Sequence, residues 1–89
     1  MKFEWDEEKN SLNIQKHGIG FEEAVAVFLD PLIIEHFDQE HSNEYEERWR
    51  AYGYFHRLMA VTFTERNGSI RIISARKATR TEEEELLYD

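Results

Sequence analysis

Apolar and polar residues alternate with helical spacing in the first third of the chain. Glu7–His17 follows a possible N-cap at Asp6 and ends at Gly18, which predicts a largely polar helix. A second helix is predicted over Phe21–Leu29, where apolar residues recur at one helical face. Pro31 stops it, because the residue before a proline avoids helical backbone angles.

The remainder of the chain has the alternation of β-strands, and a first short strand precedes the helices. The predicted strands are Lys2–Trp5, Leu32–Phe37, Glu46–Phe55, Arg57–Glu65 and Ser69–Arg76. Asn67-Gly68 is a strong hairpin signal between the last two. It sets an expected register of Arg66 with Ser69, Phe63 with Ile72, Val61 with Ser74 and Met59 with Arg76. Thr79 and Glu82 have the spacing of a capping box, which predicts a short C-terminal helix.

This order of elements predicts one α+β domain over residues 1–89. Its expected form is an antiparallel sheet with the N-terminal helices packed on one face and a short C-terminal helix. The chain has no cysteine, so disulfides and thiolate metal sites are excluded. It has no apolar run of membrane-spanning length and no signal peptide at its N-terminus, so we expect a cytoplasmic protein without a membrane partner.

The net charge of −8 conceals a segregated distribution. Residues 1–47 carry a net charge of −10, residues 48–80 carry +7 and residues 81–89 carry −5. A basic segment between two acidic ones suggests a face that binds an anion such as nucleic acid. The alternative is that the acidic flanks neutralise the basic segment within the fold, and charge alone leaves both open.

The densest group of cations lies where the last strand meets the C-terminal helix. Arg76 ends the strand, Lys77 lies in the connection and Arg80 falls in the first helical turn. Cations near a helix N-terminus oppose the helix dipole, and a bound anion would remove that conflict. We therefore favour a phosphate site here. The alternative is that the glutamates of the following helix pair with these cations on an exposed surface.

A second basic group lies on one face of the third predicted strand. Arg48, Arg50, Tyr52 and Tyr54 alternate along it, an arrangement suited to holding phosphates and stacking bases. A normal solvent-exposed strand face is the simpler interpretation of this strand alone. The basic segment in the same sheet adds weight to the nucleic-acid interpretation.

The four histidines give weaker signals. His36 and His41 flank a polar loop without metal-ligand partners, and His56 falls at a turn. His17 precedes Gly18 and could cap the helix C-terminus or transfer protons. The chain also lacks a Walker loop, a dinucleotide-binding turn and a nucleophile elbow, so no cofactor and no metal site are expected.

Three stretches together carry a resemblance to a known family. They are Phe3–Asn10, continuing with Asn13 and Lys16–Ala24; Glu47-Arg48 with Gly53; and Arg71–Arg80 with Glu82. In this order and at this chain length they resemble the signatures of the BrnT toxins. The acidic segment Thr81–Glu85 departs from the family, whose C-terminal helix is often basic.

The resemblance implies a RelE-like fold and a metal-independent endoribonuclease of a type II toxin–antitoxin pair. In such folds the ribose 2′-hydroxyl attacks the adjacent phosphate while cationic side chains stabilise the developing charge. The expected catalytic residues are Arg76, Lys77, Arg80, Arg48 and His17. The expected RNA contacts are Arg50, Tyr52 and Lys9. His17, Glu47 and Lys77 are the candidates for the general base.

The implied partners are RNA and a ribbon-helix-helix antitoxin resembling BrnA. Operator DNA would be bound only through the antitoxin, and a dimer or a heterotetramer with the antitoxin is possible. The competing hypothesis is a non-catalytic module of the same fold that only binds a partner protein.

Overall fold

The computed structural model describes the backbone of residues 1–88 and the side chains of residues 1–86. Asp89 of the predicted domain, and the Leu87 and Tyr88 side chains of the predicted C-terminal helix, lie outside the described residues. The elements are β1 (Lys2–Glu4), α1 (Glu7–His17), α2 (Phe21–Val25), β2 (Ile34–Phe37), β3 (Arg48–Phe55), β4 (Arg57–Arg66), β5 (Ser69–Lys77) and α3 (Arg80–Tyr88).

The predicted α+β class and order of elements are confirmed. The five strands form one sheet in the order β1-β5-β4-β3-β2. β2 to β5 are antiparallel neighbours, as expected, whereas β1 is parallel to β5. No hairpin joins β1 to β5, so no tight turn dictates its direction.

The polar helix α1 is fixed by its caps and by the buried Asn13. Asp6 accepts hydrogen bonds from the backbone N–H groups of Glu8 and Lys9, and Gly18 ends the helix at a left-handed φ of 70°. The buried Asn13 amide donates to the carbonyls of Ile19 and Ala75, each at 2.8 Å. Its Oδ1 accepts from the Ala75 N–H at 3.1 Å. One side chain therefore ties α1 to β5.

We expect Asn13→Ala to lower the free energy of unfolding by about 2–3 kcal/mol, because it leaves buried backbone groups of Ile19 and Ala75 without partners. Denaturant midpoints of the variant and the parent protein measure the loss. Gln15→Ala on the exposed side of the same helix is the matched control. Equal losses in the two variants would contradict this role of Asn13.

The second predicted helix changes its winding halfway. α2 ends at Val25, and Ala26–Leu29 continues as a 3-10 turn. This turn lies directly against β3 at Gly53, where an added Cβ would stand 2.8 Å from Val27 Cγ1. The close approach buries Val27 completely. The helix side of the sheet carries the core: Ile19, Phe21, Ala24, Val27, Ala51, Met59, Val61, Phe63, Ile72 and Ala75.

A β-bulge in β5 corrects the register predicted for the last hairpin. The Arg66–Ser69 and Phe63–Ile72 pairs form as expected, but the register then shifts between Thr62 and Phe63. The expected pairs of Val61 with Ser74 and Met59 with Arg76 are wrong. Val61 pairs with Ala75, Met59 with Lys77 and Ala60 with Arg76.

The extra residue is Ile73, since Thr62 pairs with Ser74 and Phe63 with Ile72. A bulge of one residue reverses which face each following side chain occupies. Ala75 therefore joins the core on the helix side, and Arg76 moves to the opposite side. We call that opposite side the open face; it includes Arg48, Arg50, Tyr52, Ala60, Thr62 and Arg76.

Candidate functional site

Arginines surround a floor of small side chains on the open face. The register places Ala60, Thr62, Thr64 and Ser74 in its centre, on β4 and β5. Around them lie Arg48, Arg50, Arg71 and Arg76. The surface is cationic, and of the small side chains at its centre Ala60 and Thr64 are buried.

Glu82 of α3 lies against this surface and binds Arg76 through both carboxylate oxygens. Arg76 Nη1 donates to Oε1 at 2.7 Å, and Nη2 donates to Oε2 at 3.0 Å. The Tyr52 hydroxyl donates to Oε2 at 2.7 Å, and Arg50 Nη1 lies 3.9 Å away. The capping box also forms, since the Thr79 N–H donates to Glu82 Oε1 at 2.8 Å.

These contacts make Glu82 a strongly stabilised anion. The hydrogen bonds from Arg76 lower its pKa from 4.5 to about 2; burial opposes this, and the Thr79 N–H and the Tyr52 hydroxyl assist it. The same contact raises the pKa of Arg76. Burial and the neighbouring Glu82 raise the pKa of Tyr52, so its hydroxyl stays a proton donor at neutral pH. The side chains of Arg50, Tyr52 and Arg76 therefore surround one carboxylate, that of Glu82.

Arg50 extends the polar contacts towards the loop after β2. Its Nη1 is 3.4 Å from the Tyr52 hydroxyl, and its Nη2 is 3.5 Å from Asp38 Oδ2. Asp38 also binds His41 Nδ1 at 2.9 Å. Burial opposes ionisation of Asp38, but His41 and Arg50 outweigh it and its pKa is lowered.

The other residues predicted for the open face have separate partners. Arg48 Nε donates to Glu46 at 2.8 Å, and this bond is the main reason that the pKa of Glu46 is lowered. Arg80 is 92% exposed and pairs only loosely with Glu84, at 3.3 Å within one helix. Of the two interpretations of these cations, the structure shows the second for Arg76 and Arg80: each pairs with a glutamate of α3.

Lys77 and His17 lie on the helix side, away from Arg76. Lys77 pairs with Met59, whose side of the sheet is the core. Because β1 is parallel to β5 and Asn13 contacts Ala75, α1 runs in the direction of β5 and places His17 at the Lys77 end. Lys9 lies in the first turns of the same helix. The five predicted catalytic residues are therefore divided between two sides of the sheet.

Sequence reasoning missed several polar residues of the open face. His36 pairs with Arg50 across β2 and β3, and its ring lies 5.6 Å from that of Tyr52. Asp38 and Arg71 were not singled out, and Glu82 was expected to cap the helix or to pair with the nearby cations on an exposed surface. Strand alternation was the available signal: Ile34, His36 and Asp38 share one face once β2 is paired with β3.

Beyond the end of the helices, the helix side of the sheet is mainly acidic, whereas the open face is basic. A cavity of about 680 Å³ opens there around Trp49 and Phe63. Its lining carries one basic side chain, Arg66, and the acidic side chains of Glu35, Glu44, Glu46, Glu47 and Glu65. The two sides of the sheet therefore suit partners of opposite charge.

Within the described part of the chain, no group of three or more histidine or acidic side chains is placed to hold a metal ion. Nor is any described helix both long and apolar enough to cross a membrane.

The sequence matches the family model described as the ribonuclease toxin, BrnT, of type II toxin–antitoxin systems, over residues 5–82. The chain belongs to the BrnT toxin family. Members of this family are named as ribonuclease toxins, and a type II system implies an antitoxin protein as the partner. The match includes both the N-terminal signature and the segment from Arg71 to Glu82.

A solved structure of a BrnT protein has the same fold. The crystal structure of the Brucella abortus ribonuclease toxin BrnT aligns with a TM-score of 0.67 at 30% sequence identity. The alignment covers 90% of this chain and 99% of that one. No curated protein matches the sequence. The small α+β domain that was expected to be RelE-like has the BrnT fold. Its sheet is mixed because β1 is parallel to β5.

Proposed function

We propose that this BrnT-family chain cleaves RNA without a metal ion and that the scissile phosphate binds between Arg50, Tyr52 and Arg76. The observation that carries the proposal is the carboxylate of Glu82, which occupies that position with four donors or cations around it. A carboxylate and a phosphate present similar oxygens to a guanidinium fork. RNA would displace Glu82 from the site.

The donors suit the charge that develops during cleavage. When the ribose 2′-oxygen attacks phosphorus, negative charge grows on the non-bridging phosphate oxygens. Arg76 presents two N–H groups and Tyr52 presents one hydroxyl, and all three donate to Glu82 until RNA displaces it. Preorganised donors of this kind stabilise a transition state more than a bound ground state. Arg50 adds a cation from the neighbouring strand.

The remaining predicted residues take supporting roles in the proposal. Arg48 lies two residues from Arg50 on the same face and would hold the RNA backbone. The exposed Arg80 would contact the chain beyond the scissile phosphate. Lys9, Lys77 and His17 would meet RNA only where it passes over the edge of the sheet.

The acidic cavity supports a basic antitoxin as partner. Four of its glutamates, Glu35, Glu44, Glu47 and Glu65, have no cation within 4.0 Å among the described side chains. Basic side chains of a partner would neutralise them around the aromatic floor. We propose that this partner is a ribbon-helix-helix antitoxin that resembles BrnA, carries the contact to operator DNA, and assembles with the toxin as a heterotetramer.

Digestion of a single-stranded RNA with excess EDTA tests the metal-independent reaction. We expect the purified protein to cut the RNA equally with and without the chelator, leaving 2′,3′-cyclic phosphate and 5′-hydroxyl ends. Loss of cutting on chelation and its return with Mg²⁺ would contradict the mechanism. Absence of cutting in both conditions, from protein shown to be folded, would contradict the function.

The same Glu82 contact favours a second candidate, a non-catalytic member that only binds a partner protein. A carboxylate with a pKa of about 2 is charged at every physiological pH, so it competes with RNA permanently. The two candidates predict different results when Glu82 is neutralised. RNA cleavage by an RNase would increase, whereas a binding module would still not cleave RNA.

A further inference from the structure

Two of the four histidines lie at opposite ends of the Arg50 guanidinium. On the Nη1 side, which faces Tyr52 and Glu82, the His36 ring packs against Tyr52 at 5.6 Å. On the Nη2 side, Asp38 joins the guanidinium to His41 Nδ1, with distances of 3.5 and 2.9 Å. Arg50 therefore has one histidine near each of its two terminal nitrogens, His36 by way of Tyr52 and His41 by way of Asp38.

The other two histidines have different surroundings. His17 ends α1 on the helix side of the sheet. His56 occupies the turn between β3 and β4 with a φ of 67°, and its ring lies against Phe55 at 4.4 Å. Of the four histidines, only His36 and His41 therefore lie near Arg50 in the described structure.

We propose that His36 is the general base and His41 the general acid of RNA cleavage at this site, an inference that rests on the proposed function. His36 takes the proton of the 2′-hydroxyl as the 2′-oxygen forms its bond to phosphorus. The bond between phosphorus and the 5′-oxygen breaks, and His41 protonates that oxygen. The products are a 2′,3′-cyclic phosphate and a 5′-hydroxyl, and both imidazoles then exchange protons with water.

The contacts of the two rings carry this assignment. The Asp38 carboxylate binds His41 Nδ1, which fixes the ring and leaves Nε2 to act on the 5′-oxygen. His36 faces the Arg50 cation and the Tyr52 ring across the strand pair, with Glu82 beyond Tyr52. Once RNA displaces Glu82, the His36 ring is the imidazole beside the Tyr52 end of the anion position and acts as the proton acceptor.

The test compares two RNA oligonucleotides that share one cleaved linkage, one natural and one with sulfur in place of the 5′-bridging oxygen. A thiolate leaves without being protonated, so the sulfur substrate does not need the acid. We expect His36→Gln and His41→Gln each to slow cleavage of natural RNA at least about a hundredfold. On the sulfur substrate His41→Gln should cleave close to the parent rate, and His36→Gln should stay slow.

The pH profile and one further variant complete the experiment. The parent rate should be bell-shaped in pH, and each variant should lose one limb. His56→Asn is the matched control, with melting temperatures measured for all three variants. If folded His36 and His41 variants cleave natural RNA like the parent, or if sulfur rescues both or neither, the assignment is wrong while the RNase function stands. A parent protein that cuts neither substrate would overturn the function itself and this inference with it.

Discussion

Replacement of Arg76 by glutamine should lower the rate of RNA cleavage by about 10²–10³, or about 2.7–4 kcal/mol of transition-state stabilisation. Arg76 is the one side chain that offers two parallel N–H groups to the anion position. Glutamine keeps polarity and part of the length but loses the charge and the fork. The rate should be measured in single turnover at saturating RNA, so that a loss of affinity is separated from a loss of chemistry.

Arg57→Gln is the matched control for this substitution. Arg57 is also a partly exposed arginine in an ion pair between two elements, 3.3 Å from Glu23. It belongs to the first position of β4, and its partner is on α2, so its loss should leave cleavage unchanged. Arg80→Gln should weaken RNA binding in a salt-dependent way and keep the rate at saturation. An Arg76 variant that is folded and as fast as the parent would remove the basis of the phosphate site.

Replacement of Glu82 by glutamine should increase cleavage and reduce stability together. Neutralising the carboxylate removes the competitor for the phosphate site, and we expect RNA affinity to rise about tenfold, which is about 1.4 kcal/mol. The drop in the pKa of Glu82 from 4.5 to about 2 corresponds to about 3 kcal/mol of folding free energy at neutral pH. Glutamine retains some of the hydrogen bonds, so a loss of about 2 kcal/mol is expected.

The pH dependence of unfolding gives an independent measurement. Because the pKa is lowered in the folded protein, the stabilisation is complete above pH 4.5 and is lost as the pH falls to about 2. The parent protein should show this loss, and Glu82→Gln should lack it. Glu84→Gln, in an exposed pair within the same helix, is the control and should alter neither property. Lower stability without any gain in RNA binding would favour the non-catalytic module.

Local patterns were enough to predict the elements of this fold. The caps at Asp6 and Gly18 and the Asn67-Gly68 turn are chemical signals that act within a few residues, and all three formed. The direction of β1 depends on contacts between distant parts of the chain. The switch to 3-10 winding at Ala26 depends on the close approach of β3 at Gly53, which no helical pattern contains.

The site was predictable only where strand alternation sufficed. Arg48, Arg50 and Tyr52 share a face because β3 is regular, as expected. Arg76 and Lys77 were expected to act together, but adjacent residues of a strand point to opposite sides, and the bulge decided which one faces Arg50. The nearness of His36 and His41 to that arginine required the pairing of β2 with β3, which sequence spacing does not determine.

The bulge at Ile73 also decides which side chains of β5 reach the binding surface. A β5 shorter by Ile73 would keep Arg76 opposite Ala60 in a regular ladder. A β5 of the present length without the bulge would instead pair Arg76 with Met59 and exchange the sides taken by Arg76 and Lys77. Every side chain of the signature could then be present while the anion site lost its principal cation. For relatives whose strand has the same length, retention of the bulge therefore decides which side of the sheet this arginine takes.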